Sequence, residues 1–457
     1  MEKRIKKMKS LNSKRIFLVE LFIQRFFKRK RVKKLIAVIL IAGLSTNYLV
    51  GKDKIFSNFT SNKDTVIVGA DRLFSEFSYL INDKKIALVT NHTGRLSNGT
   101  HLADTLFNYP GAELTVLFGM HFNIRTNDYS LSRDEESDID FETGLPKHSL
   151  YGTFHKPSDE MLKNVDVIII DIQEVGARFY EHVNILGFVM EAAAENNIEV
   201  VVLDRPNPIT GLKIDGFVTD DEFLFGFGAF GKIPVIHGLT MGEIAQLYNG
   251  ESMLRNGLQA KLHIVKMIGW KRSMWFDQTG LEWIKPSPNL PSPESMLAYT
   301  GTCMFEGLNI STGRGTEKPF EYVGAPWIDH HKVVNLLDEL KLDGVVFDAV
   351  TFTPSKMSFH SQAPYLSGEN CNGIFVRVTD RDRFEPYKTG ISMLWAIHTF
   401  HATQMEWDMD TFDRLVGTRR LVEMIQQGTN PIEIFDSWNV ELAEFIKISR
   451  KYMIYPS

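Results

Sequence analysis

"VDVIIIDIQ", residues 165–173, carries four consecutive β-branched residues, Val167 to Ile170, between Asp166 and Asp171. An unbroken apolar run of that length reads as a strand buried on both faces; a strand with one wet face alternates instead. The same texture recurs in "KIALVTN" (85–91), "ELTVLFG" (113–119) and "IEVVVLD" (198–204). Helical spacing fills the gaps at 101–109 and at 184–196, where "NILGFVMEAAAEN" keeps an apolar face. Strand alternating with helix predicts a parallel sheet with right-handed crossovers. The expected fold class is therefore α/β, a Rossmann-like parallel-sheet domain over 66–300. A smaller α+β C-terminal domain over 301–457 follows, closing a cleft, with strands at 345–353 and 373–379 and helices near 388–402, 418–427 and 438–450. Between the two, 268–330 reads as a crossing region, rich in tryptophan and containing "KPSPNLPSPES" (285–295).

The chain has 457 residues, 44% hydrophobic and 23% charged, a globular profile long enough for more than one domain. Charge is unevenly spread. Residues 1–34 hold 14 Lys and Arg against Glu2 and Glu20, a net of +12 in a chain of −5, so the remainder carries −17. The basic head runs into the uncharged "LIAVILIAGLSTNYLV" (35–50), the pattern of a secretory signal or an uncleaved anchor. Residues 1–50 are thus expected to direct export to the periplasm or cell surface, the only membrane contact anticipated, and no nucleic-acid partner is. Residues 51–65 are polar and read as a linker. Cys303 and Cys371 allow one disulfide at most and exclude a cysteine-based zinc or iron–sulfur cluster. "GFGAFG" (226–231) satisfies a glycine-rich nucleotide pattern but runs into Pro234 and β-branched residues, an extended segment rather than a helix. No cofactor or metal is expected.

Open parallel sheets bind ligands beyond the carboxyl ends of their strands. The residues there are "TNHTG" (90–94), "GMHFNIR" (119–125), "DIQEVGARFY" (171–180) and "DRPNP" (204–208). Asn91 and His92 can hydrogen-bond a sugar or shape the turn. Asp171 and Asp204 can act on a ligand or cap backbone N–H groups. Gln173, Arg178 and Tyr180 follow one buried strand, and a guanidinium there can clamp a carboxylate or pair with Glu174. Asn207 lies in the last of these loops. "MFEGLNISTGRGTEKPFE" (304–321) gathers Glu306, Asn309, Arg314 and Glu321, with Gly313 and Gly315 flanking Arg314 so that backbone can approach a ligand.

Together and in this order, "LVTNHTG", "TGLPKHSLYG", "VDVIIIDIQEVGARFY", "VLDRPNP", "IPVIHGLTMGEIA", "PSPNLPSPES", "GTCMFEGLNISTGRGTEKPFEYVGAPW" and "RKYMIYP" resemble the NamZ-type exo-β-N-acetylmuramidases over residues 66–457. The resemblance implies an exported glycoside hydrolase that removes N-acetylmuramic acid from the non-reducing end of peptidoglycan fragments, with its site between the two domains. It makes Arg178 or Arg314 a clamp for the lactyl carboxylate of muramic acid.

One motif departs. After the second strand the family typically reads Leu-Phe-Gly-Pro-Glu-His-Gly-Phe-Arg-Gly, its glutamate the prime catalytic candidate. Here the chain reads Leu117-Phe118-Gly119-Met120-His121-Phe122-Asn123-Ile124-Arg125-Thr126. Ungapped, His121 replaces the glutamate; with one deletion it matches the family histidine. Neither alignment keeps the carboxylate that glycoside hydrolysis uses to protonate the leaving oxygen. The catalytic candidates are then His121, Glu306 and Asp171. Two readings stay open: a hydrolase with altered chemistry, and an inactive homologue that binds muropeptide or peptidoglycan sugars at the envelope.

Overall fold

The computed structural model describes residues 65–120, 124–126, 138–151, 156–226, 228–357 and 363–457. The basic head and apolar stretch of 1–50, the linker up to residue 64, and His121 lie outside the described residues. Residues 61–457 belong to one compact unit.

Its frame is a six-stranded sheet of β1 (Lys85–Thr90), β2 (Glu113–Gly119), β3 (Lys147–Ser149), β4 (Val167–Asp171), β5 (Glu199–Leu203) and, after a short antiparallel pair β6 (Asp215–Val218) and β7 (Pro234–Ile236), β8 (Lys261–Val265). The order is β3-β2-β1-β4-β5-β8, every pair parallel. Chain order reverses between β1 and β4, so their C-terminal loops flank the natural crevice of such a sheet. The apolar run of β4 shows why the sheet is covered on both faces. Ile168 and Ile170 pack into one core, Val167 and Ile169 into another, and all four are at most 1% exposed. Helices α1 (Gly69–Glu76) and α2 (Leu102–Phe107) cover one face, α3 (His182–Glu195) and α4 (Met241–Gly250) the other. Each large aliphatic side chain so buried stabilises the fold by about 1.5–3 kcal/mol.

The C-terminal part comprises α5 (Pro293–Thr302), the antiparallel strands β9 (Tyr322–Ala325), β10 (Val345–Phe352) and β11 (Cys371–Val378) in order β10-β11-β9, and the helices α6 (His330–Leu340), α7 (Pro386–His401), α8 (Met409–Val416), α9 (Arg420–Gln426), α10 (Pro431–Asp436) and α11 (Asn439–Ser449). Helices α5 and α7 cross at Gly301 and Gly390, where a Cβ on either would fall on the other helix's backbone carbonyl. One hydrophobic core joins this half to the loops after β4 and β5, through Val175, Phe179 and Ile209. The expected boundary at residue 300 falls within α5, inside that shared core. Strands β3 and β8, at the two sheet edges, were not anticipated: β3 has three polar residues and β8 alternates in burial, so neither carries an apolar run. Cys303 and Cys371 are both buried and free. Among the described residues no helix is long and apolar enough to cross a membrane.

Candidate active site

The loops leaving the sheet divide into those that fasten the fold and those that line a pocket. Asp171 ends β4 fully buried and takes a bidentate grip from Arg205, Nε at 2.6 Å and Nη2 at 2.9 Å. Asp204 directly follows β5 and is also fully buried. It accepts the Gly242 N–H at 2.9 Å, the Thr240 hydroxyl at 2.7 Å and the Tyr455 hydroxyl at 2.5 Å. These bonds dock the start of α4 and the C-terminal "RKYMIYP" onto the sheet, and a Cβ at Gly242 would press on the Asp204 carboxylate. Burial pushes the Asp204 carboxyl up to about 7 despite these donors.

Arg178 is likewise consumed. It is 0% exposed and donates to the carbonyls of Gly228 and Leu415, the latter at 2.8 Å, pinning α8 beneath the sheet loops. Burial lowers its pKa to about 10, leaving it charged but sealed from a ligand. The expected carboxylate clamp at Arg178 is therefore a strut. Asn207 accepts the Ile209 N–H and donates to Leu239 O, fully buried. The Asn91 side chain holds Thr93 through its N–H and hydroxyl, at 2.9 and 2.6 Å. His92 meets Lys285 O at 2.8 Å, and burial lowers its pKa to about 4. Gln173 donates to Glu174 O and Pro206 O and borders a small cavity beside Arg205. Glu321 is buried against Lys318, at 3.1 Å. These are turn and core contacts.

The pocket lies beyond β3 and β4. It has a volume of about 200 Å³, and among its lining residues are Tyr180, Glu181, His182, Tyr299, Glu306 and Arg314. Its wall is aromatic: Tyr299 packs edge-on against Phe179, Tyr180 and Phe320 at centroid distances of 5.3, 6.1 and 4.7 Å. Tyr180 donates to Pro286 O at 3.0 Å, so the Pro-rich stretch of 285–295 forms one rim. Buried among aromatics, the Tyr180 and Tyr299 hydroxyls and the Cys303 thiol are all pushed up in pKa and stay neutral.

Two carboxyls share this pocket in different states. Glu306, on the single 3-10 turn after α5, is paired through both oxygens with Arg314, Nη2 lying 3.0 Å from Oε2. Thr312 adds a bond at 3.3 Å, and the guanidinium stacks over Phe320 at 5.1 Å. The pair also borders a wider cleft of about 570 Å³ that Asn309 lines, although the Asn309 amide is spent tying Gln404 O and the Glu406 N–H. Gly313 and Gly315 do adopt positive φ, but the backbone they admit is the chain's own: Lys318 and Tyr322 carbonyls beside Gly313, Ser355 beside Gly315.

Glu181 was not anticipated from the sequence, though it directly follows Tyr180. It sits at the N-cap of α3 yet makes no capping bond, and its Oε2 is buried without a hydrogen-bond partner. Desolvation pushes this carboxyl up to about 7. An orphan buried oxygen costs about 1–3 kcal/mol, which folding alone gives no reason to retain. Its neighbour His182 faces Gln173 O through Nδ1 at 3.0 Å. A carbonyl only accepts, so that nitrogen carries the proton, and Nε2 is left toward the Asn91 amide at 3.5 Å.

Of the anticipated site residues, Tyr180, Glu306 and Arg314 meet in one pocket. His121 lies outside the described residues, and β2 is described up to its last residue, Gly119, and on to Met120.

Known proteins share this architecture and sequence. Two solved DUF1343 family proteins from Bacteroides fragilis NCTC 9343 superpose with TM-scores of 0.78 and 0.69, at 34% and 29% identity. Each match covers 86% of this chain, and 100% and 99% of the respective neighbour. The Bacillus subtilis (strain 168) peptidoglycan beta-N-acetylmuramidase NamZ is 40% identical over 428 residues, 93% of this chain and all of that protein. Residues 86–294 match the N-terminal family model of exo-beta-N-acetylmuramidase NamZ and residues 297–455 the C-terminal one. With both halves matched in order across most of its length, this chain belongs to the NamZ exo-β-N-acetylmuramidase family.

Proposed function

We propose that this chain is an exo-acting glycoside hydrolase that removes N-acetylmuramic acid from the non-reducing end of peptidoglycan fragments. The observation that carries the reading is the aromatic-walled pocket of about 200 Å³ with Arg314 on its wall. A sugar face packs on aromatic rings, and a guanidinium is suited to the lactyl carboxylate that distinguishes muramic acid. Arg314 presents Nε and Nη2 to Glu306, which leaves its remaining edge for an incoming anion. The Bacillus subtilis relative, named for activity on peptidoglycan, supports the same substrate class.

The altered motif after β2 bears on the mechanism. The ungapped register, which sets His121 on the family's glutamate, also sets Arg125 on the family's arginine. Arg125 here clamps Asp140 at 2.7 and 2.9 Å and Asp104 at 2.7 Å, a structural role that supports keeping that register. Export is part of the same proposal, resting on the +12 head before the apolar 35–50. N-terminal sequencing of the mature protein from fractionated cells tests it.

The function is tested by incubating the purified full chain with a chromogenic N-acetylmuramic acid glycoside while titrating the free sugar by calorimetry. Turnover is the expected result. Binding without turnover would instead support the inactive sugar-binding homologue, and neither would overturn both.

A further inference from the structure

We propose that Glu181 is the proton donor for glycosidic cleavage in this chain. The proposal rests on the muramidase reading and deepens it. Cleavage needs a carboxyl that keeps its proton until the leaving oxygen takes it, placed where the bond lies. The described acids sort clearly against that need. Asp171 is sealed against Arg205, and Glu321 is buried on Lys318 outside the pocket. Glu174 also has an orphan oxygen, but it holds the Gly176 N–H and does not line this pocket. Glu306 lines the pocket as a carboxylate engaged by a guanidinium through both oxygens. Glu181 lines the pocket, its Oε2 is buried with no hydrogen-bond partner, and the loss of its solvation favours the neutral acid.

The ionisable groups sharing the pocket are Tyr151, Tyr180, His182, Tyr299, Cys303 and the Glu306–Arg314 pair. The one described cation among them, Arg314, is already committed to Glu306 and does not hold Glu181 ionised. Two carboxyls in one cavity, one neutral and one paired, is the arrangement that lets one act as acid while the other stabilises positive charge. In the step itself, Glu181 gives its proton to the glycosidic oxygen. The C1–O bond breaks with its electron pair on that oxygen, and the leaving sugar departs as an alcohol. Water adds at C1 and loses a proton that restores Glu181. The sum is hydrolysis, and no co-reactant is needed. The motif after β2, which here holds no carboxylate from Met120 to Thr126, is then no obstacle to turnover.

The test uses the full chain and two substrates: an N-acetylmuramic acid disaccharide, whose leaving hydroxyl needs a proton, and the 2,4-dinitrophenyl glycoside, whose leaving group departs as a stable anion. In Glu181→Gln, kcat/KM on the disaccharide should fall about 10²–10⁴-fold, and on the dinitrophenyl glycoside by about tenfold or less. The wild-type decline in kcat/KM above pH 7 on the disaccharide should disappear. Residual cleavage of the activated glycoside, with unchanged calorimetric binding of N-acetylmuramic acid, also shows that the variant folds. Equal losses on both substrates, or no loss on either, overturn the assignment and leave the muramidase reading standing. A wild-type chain that cleaves neither substrate overturns that reading itself.

Discussion

Asp204 and Glu181 are both carboxyls that burial pushes up to about 7, and both stand in loops beyond the same sheet. Asp204 is surrounded by three donors from α4 and the C-terminus, so each of its oxygens is used. Glu181 has a buried oxygen with no donor, and the residue lines a pocket. A displaced pKa therefore marks burial in both cases and function in only one. What separates them is whether the surrounding chain has already answered the group. A similar contrast divides the arginines: Arg178 is fully buried, its two terminal nitrogens donating to carbonyls under α8 and its Nε enclosed without a partner, whereas Arg314 stands on the pocket wall.

Substitutions on the saturated side should cost stability. The largest loss is expected from Asp171→Ala, which strands the buried Arg205 guanidinium and should lower unfolding free energy by about 3–5 kcal/mol in chemical denaturation. A loss below about 1 kcal/mol would mean that Arg205 finds water and is not sealed. Asp204→Asn should cost about 2–3 kcal/mol, because an amide nitrogen then faces hydroxyls arranged as donors.

The matching amide change at Glu181 should act in the opposite direction, and only at high pH. The folded carboxyl titrates near 7 against 4.5 when unperturbed. Its neutral form is favoured by folding, so its contribution is fully present below pH 4.5 and is lost as pH rises through 7. Glu181→Gln should therefore match the wild type near pH 4.5 and exceed it by about 1–3 kcal/mol at pH 8, after allowance for the part of the side chain that water reaches. A destabilised Glu181→Gln at pH 8 would place Glu181 with Asp204 as a structural group. The smallest effect is expected from Tyr455→Phe, about 1 kcal/mol. It removes the hydroxyl that joins Asp204 to the Met267 N–H and would measure how much the C-terminal clasp adds.

The strands were legible because their apolar runs are continuous, and the expected "ELTVLFG" matches β2 residue for residue. The edges were not, since β3 has three polar residues and β8 alternates, so neither carries an apolar run. Tyr180, Glu306 and Arg314 were legible from polar density beside glycine and aromatic residues, and they do share a pocket. Asp171, Asp204, Asn207 and Arg178 gave the same signal for another reason. A polar residue at a strand end is as useful for locking loops as for binding, and the partners that decide, Arg205, Tyr455, Leu239 and Leu415, lie 32 to 251 residues away.

What the amino-acid order determined by itself was therefore everything that depends on near neighbours: the buried parallel strands, the family to which the motifs belong, and the carboxylate missing after β2. Which polar side chains remain available to a ligand was settled only by tertiary structure. Availability is what is left after long-range partners have been found, and Glu181 is exceptional among the described loop acids because it lines a pocket while no donor reaches its Oε2.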